Sequence, residues 1–250
     1  MSALLEVSGV KKHFGGVHAL EGIDLTLEAG EIYCIVGPNG CGKTTLFGVI
    51  SGDLAAAEGN VRFNGRDITG LAPPRIARLG VLRKFQAPGI CPSLTVAENL
   101  EAALMVTVSP WRRLGGGGHI GRLAALLDVV QLRPRALTVA QELAHGEKQW
   151  LEIGMLLAGD SQLLLLDEPT AGMTIRETMQ TVELIKRIAS EHRRTILAIE
   201  HDMHFVAGLE CEVIAMTRGR ILRRGTYAEI SADPEVREAY LGAASHVPSH

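Results

Sequence analysis

Residues 32–50 read IYCIVGPNGCGKTTLFGVI. An apolar run comes first, then a glycine-rich turn, then a helix-like segment, and Gly37 to Thr44 (GPNGCGKT) fit the pattern G-x-x-x-x-G-K-[ST]. Each part of this pattern has a physical task. The glycines let backbone N–H groups wrap around a β-phosphate, and the N-terminus of the following helix adds positive potential. Lys43 reaches the β- and γ-phosphates, and the Thr44 hydroxyl ligates magnesium. A strand before the turn and a helix after it are the context this chemistry requires, so the stretch predicts a nucleotide-binding α/β fold.

LLLLDEP, residues 163–169, supplies what the loop lacks. A buried apolar strand delivers Asp167 at its C-terminal end, the side on which α/β sheets bind ligands, where it holds the metal through water. Glu168, the next residue, is placed to polarise an attacking water.

The bulk composition agrees. With 250 residues and 46% hydrophobic side chains the chain can bury a proper core without staples. A net charge of −3 gives no sign of the basic surface that sequence-independent binding to nucleic acid needs. Cys34, Cys41, Cys91 and Cys211 show neither CxxC nor metal-ligand spacing, as expected for a reduced, cytosolic setting. The N-terminus lacks the long apolar region of a signal peptide. No apolar run approaches the about 20 residues that span a bilayer.

Short strand-like runs fill the first quarter: LLEVSGV, IDLTLEAG and IYCIVG, then VRFNGRDI with a hairpin-type Asn64-Gly65 turn. Helical texture follows over 87–150. There Thr95 and Glu98 form a capping box ahead of Val96, Leu100 and Leu104 on one face, and Gly115 to Gly118 are expected to form a loop between two helices. After Trp150, strands and helices alternate, with Ile175, Met179, Val182 and Ile185 expected on the buried face of one helix. The pattern predicts a parallel α/β core, 1–86 with 151–250, interrupted by a helical insertion at 87–150.

Gln86 in RKFQAP, LAHGEKQW at 143–150 and His201 in AIEHDM complete the picture. In this order, between and after the phosphate loop and DEP, they resemble the ATP-binding cassette (ABC) ATPases over nearly the whole chain. RKFQAP, HGEKQWLEIGMLL, EPTAGMT, EHDM and DPEVREAYLG are similar to the ATPase subunits of branched-chain amino acid importers, and most to the urea branch. The resemblance implies a P-loop NTPase core with an N-terminal antiparallel β subdomain and a helical subdomain insertion, binding ATP and Mg2+. It implies that Gly37, Pro38, Asn39, Gly40, Cys41, Gly42, Lys43, Thr44 and Thr45 form the phosphate loop, with Thr44, Gln86 and Asp167 around the metal. It further implies that Gln86 senses the γ-phosphate and couples to the membrane subunits, and that His201 contacts the γ-phosphate and Glu168. Phe14 matches the aromatic that stacks on adenine. From the residues alone, Phe14 is equally a core aromatic. Trp111-Arg112-Arg113 reads as an exposed loop or a membrane-partner contact, the loop being preferred.

LAHGEKQW matches the family's signature loop, which contacts ATP bound to the opposite subunit through Ala144, His145, Gly146 and Glu147. It departs from the family pattern, which has serine where Ala144 stands and usually glutamine where Glu147 stands. Loss of a hydroxyl that hydrogen-bonds a charged phosphate oxygen costs about 1.5–3 kcal/mol, or ten- to a hundredfold in affinity. Glu147 adds a negative charge nearby. These departures favour a heterodimer with a second cassette over a homodimer.

The partners expected are that second ATPase subunit, two transmembrane permease subunits and an extracytoplasmic solute-binding protein, with this chain peripheral on the cytoplasmic face of the membrane. The competing readings are a non-transport cassette acting in DNA repair or translation, and a low-turnover regulatory subunit. Cys41, at a helix N-terminus beside Lys43, is expected to be a reactive thiol of lowered pKa, unless cysteine merely fills a variable position.

Overall fold

The computed structural model describes residues 3–84, 89–107, 117–159 and 161–244. The chain opens with a hairpin of β1 (Ala3–Phe14) and β2 (Val17–Glu28), then runs through β3 (Ile32–Val36) into α1 (Lys43–Ser51). It returns beside β1 as β4 (Glu58–Phe63) and β5 (Arg66–Asp67), giving a four-stranded antiparallel sheet of order β2-β1-β4-β5. Asn64 and Gly65 join β4 to β5 with φ of 49° and 72°, the two positive values that a type I′ hairpin turn demands.

A short helix, α2 (Pro73–Leu79), leads to β6 (Val81–Lys84). Three helices follow: α3 (Val96–Thr107), α4 (Gly117–Val129) and α5 (His145–Ala158). The capping box expected at the start of α3 forms, with Glu98 Oε2 accepting from the Thr95 N–H at 2.7 Å and Thr95 Oγ1 accepting from the Glu98 N–H at 3.2 Å. Val96, Leu100 and Leu104 are fully buried against α4 and α5. Gly117 and Gly118 belong to the first turn of α4 and not to the expected glycine loop; Gly115, Gly116 and Trp111-Arg112-Arg113 lie outside the described residues.

The rest of the chain alternates: β7 (Leu163–Asp167), α6 (Ile175–His192), β8 (Thr195–Ile199), α7 (Met203–Leu209), β9 (Glu212–Thr217), β10 (Arg220–Gly225), α8 (Tyr227–Ala232) and α9 (Pro234–Ala244). The main sheet has the order β10-β9-β3-β8-β7-β6, parallel throughout except for β10. It is covered on both faces. Leu163 and Leu165 of β7 face a core shared with the antiparallel sheet and with Phe47 and Ile50 of α1, whereas Leu164 and Leu166 face the core built by α6, α7 and the helical insertion. Burial on both faces explains an unbroken leucine run where a half-exposed strand would alternate.

One expected face is off. Val182 and Ile185 of α6 are buried, but Ile175 is 64% and Met179 41% exposed, because the buried stripe runs through Thr178, Thr181, Leu184 and Ile188.

Candidate functional site

β3, β8 and β7 are adjacent and parallel, so their C-terminal ends bring Val36, Glu200 and Asp167 to one edge of the sheet. The phosphate loop leaves that edge from β3. Two of its glycines are packing requirements. A Cβ at Gly37 would stand 2.3 Å from the Met216 carbonyl oxygen, and one at Gly42 would stand 2.4 Å from that of Ala19, in a backbone with φ of 109°. Gly42 is the N-cap of α1 and caps it with no side chain, which leaves the first-turn N–H groups directed into the loop. Lys43 is buried under the loop, donating to the carbonyls of Gly37 at 2.7 Å and Pro38 at 3.0 Å. Thr44, Asn39 and Gly40 are exposed, and Thr45 is half-buried. The result is an ammonium group and a helix N-terminus without a side-chain cap held at one loop, an arrangement that attracts phosphate.

Cys41 does not behave as its sequence position suggests. The thiol is buried, and burial pushes its pKa up despite Lys43 Nζ at 3.9 Å. Desolvation outweighs the cation and the helix end.

Asp167 closes β7 with its side chain buried. Arg83 on β6, a partner not foreseen from the sequence, donates to its Oδ2 at 3.1 Å and to Asp53 at 3.3 Å, while the guanidinium lies 5.8 Å from the centre of the Phe47 ring. Among the described residues Oδ1 of Asp167 has no hydrogen-bond partner. Burial raises the pKa of this carboxyl, against the pull of Arg83. A buried carboxylate oxygen without a donor, with the Thr44 hydroxyl on the adjoining loop, is a hard oxygen donor set of the kind Mg2+ takes, so the residues fit that ion.

Glu168 turns the chain at the strand end with φ of 47°, a left-handed conformation costing a non-glycine residue roughly 1–2 kcal/mol. Its N–H donates to the Ile199 carbonyl at 3.0 Å, and its Oε1 lies 3.6 Å from Nδ1 of His201, whose side chain is 62% exposed. The two residues paired on sequence grounds therefore face each other at the open edge of the site. Phe14 is 47% exposed at the end of β1, with Lys12 Nζ 5.0 Å from its ring centre, so it is a surface aromatic available for stacking and not a core residue.

Gln86 lies outside the described residues. The segment that contains it is fastened at both flanks by one carboxylate: Glu152 on α5 pairs with Lys84 at 3.4 Å and accepts from the Gly89 N–H at 2.8 Å.

The turn at the start of α5 has its own logic. Ala144 is the N-cap, and Glu147 Oε2 accepts from the Ala144 N–H at 3.0 Å while Oε1 accepts from Arg135 at 3.2 Å. The negative charge that Glu147 brings to this turn is paired with a helix end and an arginine. His145 Nε2 bonds the Ala171 carbonyl at 2.8 Å, and Gly146 packs so tightly that a Cβ would meet Glu177 at 2.9 Å. Thr174 and Glu177 form a full capping box for α6. No hydrogen bond or ion pair among the described residues joins 144–147 to 37–45. Within one chain these two halves stay apart.

Comparison with known proteins supports the same architecture. Residues 20–171 match the family described as ABC transporter, and residues 224–246 match that described as branched-chain amino acid ATP-binding cassette transporter. The chain is 36% identical to the high-affinity branched-chain amino acid transport ATP-binding protein LivG of Salmonella typhimurium, covering 96% of this chain and 98% of that one. It is likewise 36% identical, over 96% and 98%, to BraF of Pseudomonas aeruginosa. The crystal structure of the ADP conformation of MJ1267, an ATP-binding cassette of an ABC transporter, superimposes with a TM-score of 0.85 at 29% identity, covering 97% of this chain and all of that one. End-to-end similarity to transport cassettes disfavours the DNA-repair or translation reading. A phosphate loop, an acidic strand end and a facing histidine, held in a fold that these relatives share along their length, show that the chain belongs to the ABC transporter family, as an ATPase of the branched-chain amino acid importer type.

Proposed function

We propose that this chain energises the uptake of a small solute, urea or a short amide, or a branched-chain amino acid. It works from the cytoplasmic face of the membrane beneath two permease subunits served by an extracytoplasmic solute-binding protein. The observation that carries the importer reading is the match of residues 224–246, folded mainly as α8 and α9, to the branched-chain cassette segment. The urea reading rests on the likeness of RKFQAP, HGEKQWLEIGMLL and EPTAGMT to that branch. No helix among the described residues is long and apolar enough to cross a membrane, so translocation falls to other subunits.

In this reading 1–86 and 151–250 form the nucleotide-binding core and 87–150 the helical subdomain. Phe14 stacks on adenine, residues 37–45 wrap the phosphates, and Lys43 releases the loop carbonyls to reach the β- and γ-phosphates. Thr44, Asp167 and Gln86 would hold Mg2+, which would neutralise phosphate charge. Glu168 takes a proton from the attacking water while His201 orients it and contacts the γ-phosphate. The turn at 144–147 serves ATP held by the opposite cassette. Because that turn has no hydroxyl at Ala144, the opposite cassette is a different chain with a complete signature, in preference to a second copy.

Co-purification of the tagged chain from membranes, followed by uptake of radiolabelled urea and leucine into vesicles carrying the complex, tests the proposal. ATP-dependent urea uptake that unlabelled acetamide suppresses and unlabelled leucine does not is expected. Leucine uptake alone would assign the complex to amino acids, and recovery without any membrane subunit would refute the transport role.

A further inference from the structure

The residue between β8 and His201 is an acid that neither the phosphate loop nor the metal site uses. Glu200 is 1% exposed, in contrast to the open histidine beside it. Its Oε1 accepts from the N–H of Thr170 at 2.8 Å and from the Thr170 hydroxyl at 2.5 Å. Its Oε2 accepts from the N–H groups of His201 at 3.0 Å and Asp202 at 3.4 Å. All four partners are donors, so an acceptor-only carboxylate suits each of them, and an amide would have to turn its own N–H groups against one pair.

The two oxygens reach two different loops. Thr170 follows Glu168 and Pro169 out of β7, and its neighbour Ala171 offers the carbonyl bonded by His145 of the α5 turn. His201 opens the loop after β8, and its ring stands 3.6 Å from Glu168. From this bridge we infer that Glu200 is a positioning residue for hydrolysis: it clamps the loop carrying Glu168 to the loop carrying His201 and so sets the spacing of the pair. The same clamp links the α5 turn to that pair, through His145, Ala171 and Thr170. The role rests on the reading of Glu168 and His201 as the hydrolytic pair. A carboxylate that only satisfied loose N–H groups would leave that spacing unaffected.

A double-mutant cycle separates the two cases. ATP hydrolysis by the full-length chain is measured with γ-labelled ATP for Glu200→Gln, His201→Ala and the double variant, alongside ADP affinity and thermal melting. Glu200→Gln is expected to lower kcat about ten- to a hundredfold, the scale of one misdirected charged hydrogen bond, with KM and ADP affinity within about twofold. In the His201→Ala background the further loss is expected to shrink to about twofold, because the histidine it positions is gone. Thr170→Val, which removes one donor and keeps the shape, is expected to give a smaller loss with the same dependence on His201, and it carries the test if Glu200→Gln does not fold. Equal fold-losses in both backgrounds, or an unchanged kcat, would overturn the role of Glu200 alone. Full activity of His201→Ala would overturn the hydrolytic pair itself, and the clamp with it.

Discussion

Restoring a hydroxyl at Ala144 should act twice, and the structure sets the size of each effect. Ala144 caps α5 with half a capping box: the Glu147 carboxylate takes the Ala144 N–H, but a methyl group offers nothing to the N–H of Glu147. Ala144→Ser supplies the missing acceptor, a gain of about 1 kcal/mol, which for a domain of this size raises Tm by about 2–4 °C. The hydroxyl keeps its own proton, which can donate to a phosphate oxygen across the dimer and tighten each shared site by about ten- to a hundredfold. Glu147→Gln runs the other way. It removes the Arg135 ion pair, which is partly solvent-exposed and contributes about 0–1 kcal/mol, and the negative charge at the helix N-terminus, about 0.3–1 kcal/mol. The double reversion should therefore melt below the single one. The assay is melting without nucleotide, then sedimentation in saturating ATP, both in a Glu168→Gln background that holds the ATP state. An unchanged Tm for Ala144→Ser would refute the capping argument. An unchanged dimer affinity would remove the reason to prefer two different cassettes.

Three further outcomes are expected. Glu168→Gln should retain ATP binding and lose hydrolysis by about a hundredfold or more, as removal of a general base does, whereas the parental rate would refute its role. Iodoacetamide followed by mass spectrometry should modify exposed Cys91 before Cys41, whose buried thiol has a raised pKa; faster labelling of Cys41 would show that the loop opens in solution. Burial raises the Asp167 pKa above its unfolded value, so this group's contribution to folding is fully present below the unfolded pKa and lost as pH rises through the raised one. Mg2+ needs the ionised form, so Mg2+-dependent ATP affinity should weaken as pH falls toward that raised pKa, and Asp167→Asn should abolish the dependence; a profile that persists in the variant would assign the titration elsewhere.

What the sequence made legible depended on how local the physics was. Four consecutive leucines before Asp167 read as a strand buried on both sides, and Leu163 to Leu166 do alternate between two cores. Asn64-Gly65 announced its turn because few other pairs accept two positive φ angles. The helix α2 escaped notice because only Ile76 of its residues is buried, leaving no apolar period to detect, although Pro73, Pro74 and the left-handed Gly80 mark both its ends. Ile175 and Met179 followed the helical period yet stand at the solvent, since the face that α6 buries at its start is carried by Thr178 and Thr181, whose side chains give no apolar signal. Arg83, Arg135 and Glu200 act across strands and loops distant in the chain, where spacing carries no signal.

The departures in the signature turn show the same boundary between local and tertiary information. Taken position by position, Ala144 and Glu147 look like two independent losses against the family pattern, one of a hydroxyl and one of neutrality. In the fold they are not independent. Glu147 does the capping that a hydroxyl at 144 would share, Arg135 balances its charge, and His145 ties the turn to Ala171. A glutamine at 147 without a serine at 144 would leave the α5 N-terminus with a weaker cap and an arginine without its partner. The two positions therefore constrain each other, and their effects on Tm should be non-additive in the double-mutant cycle.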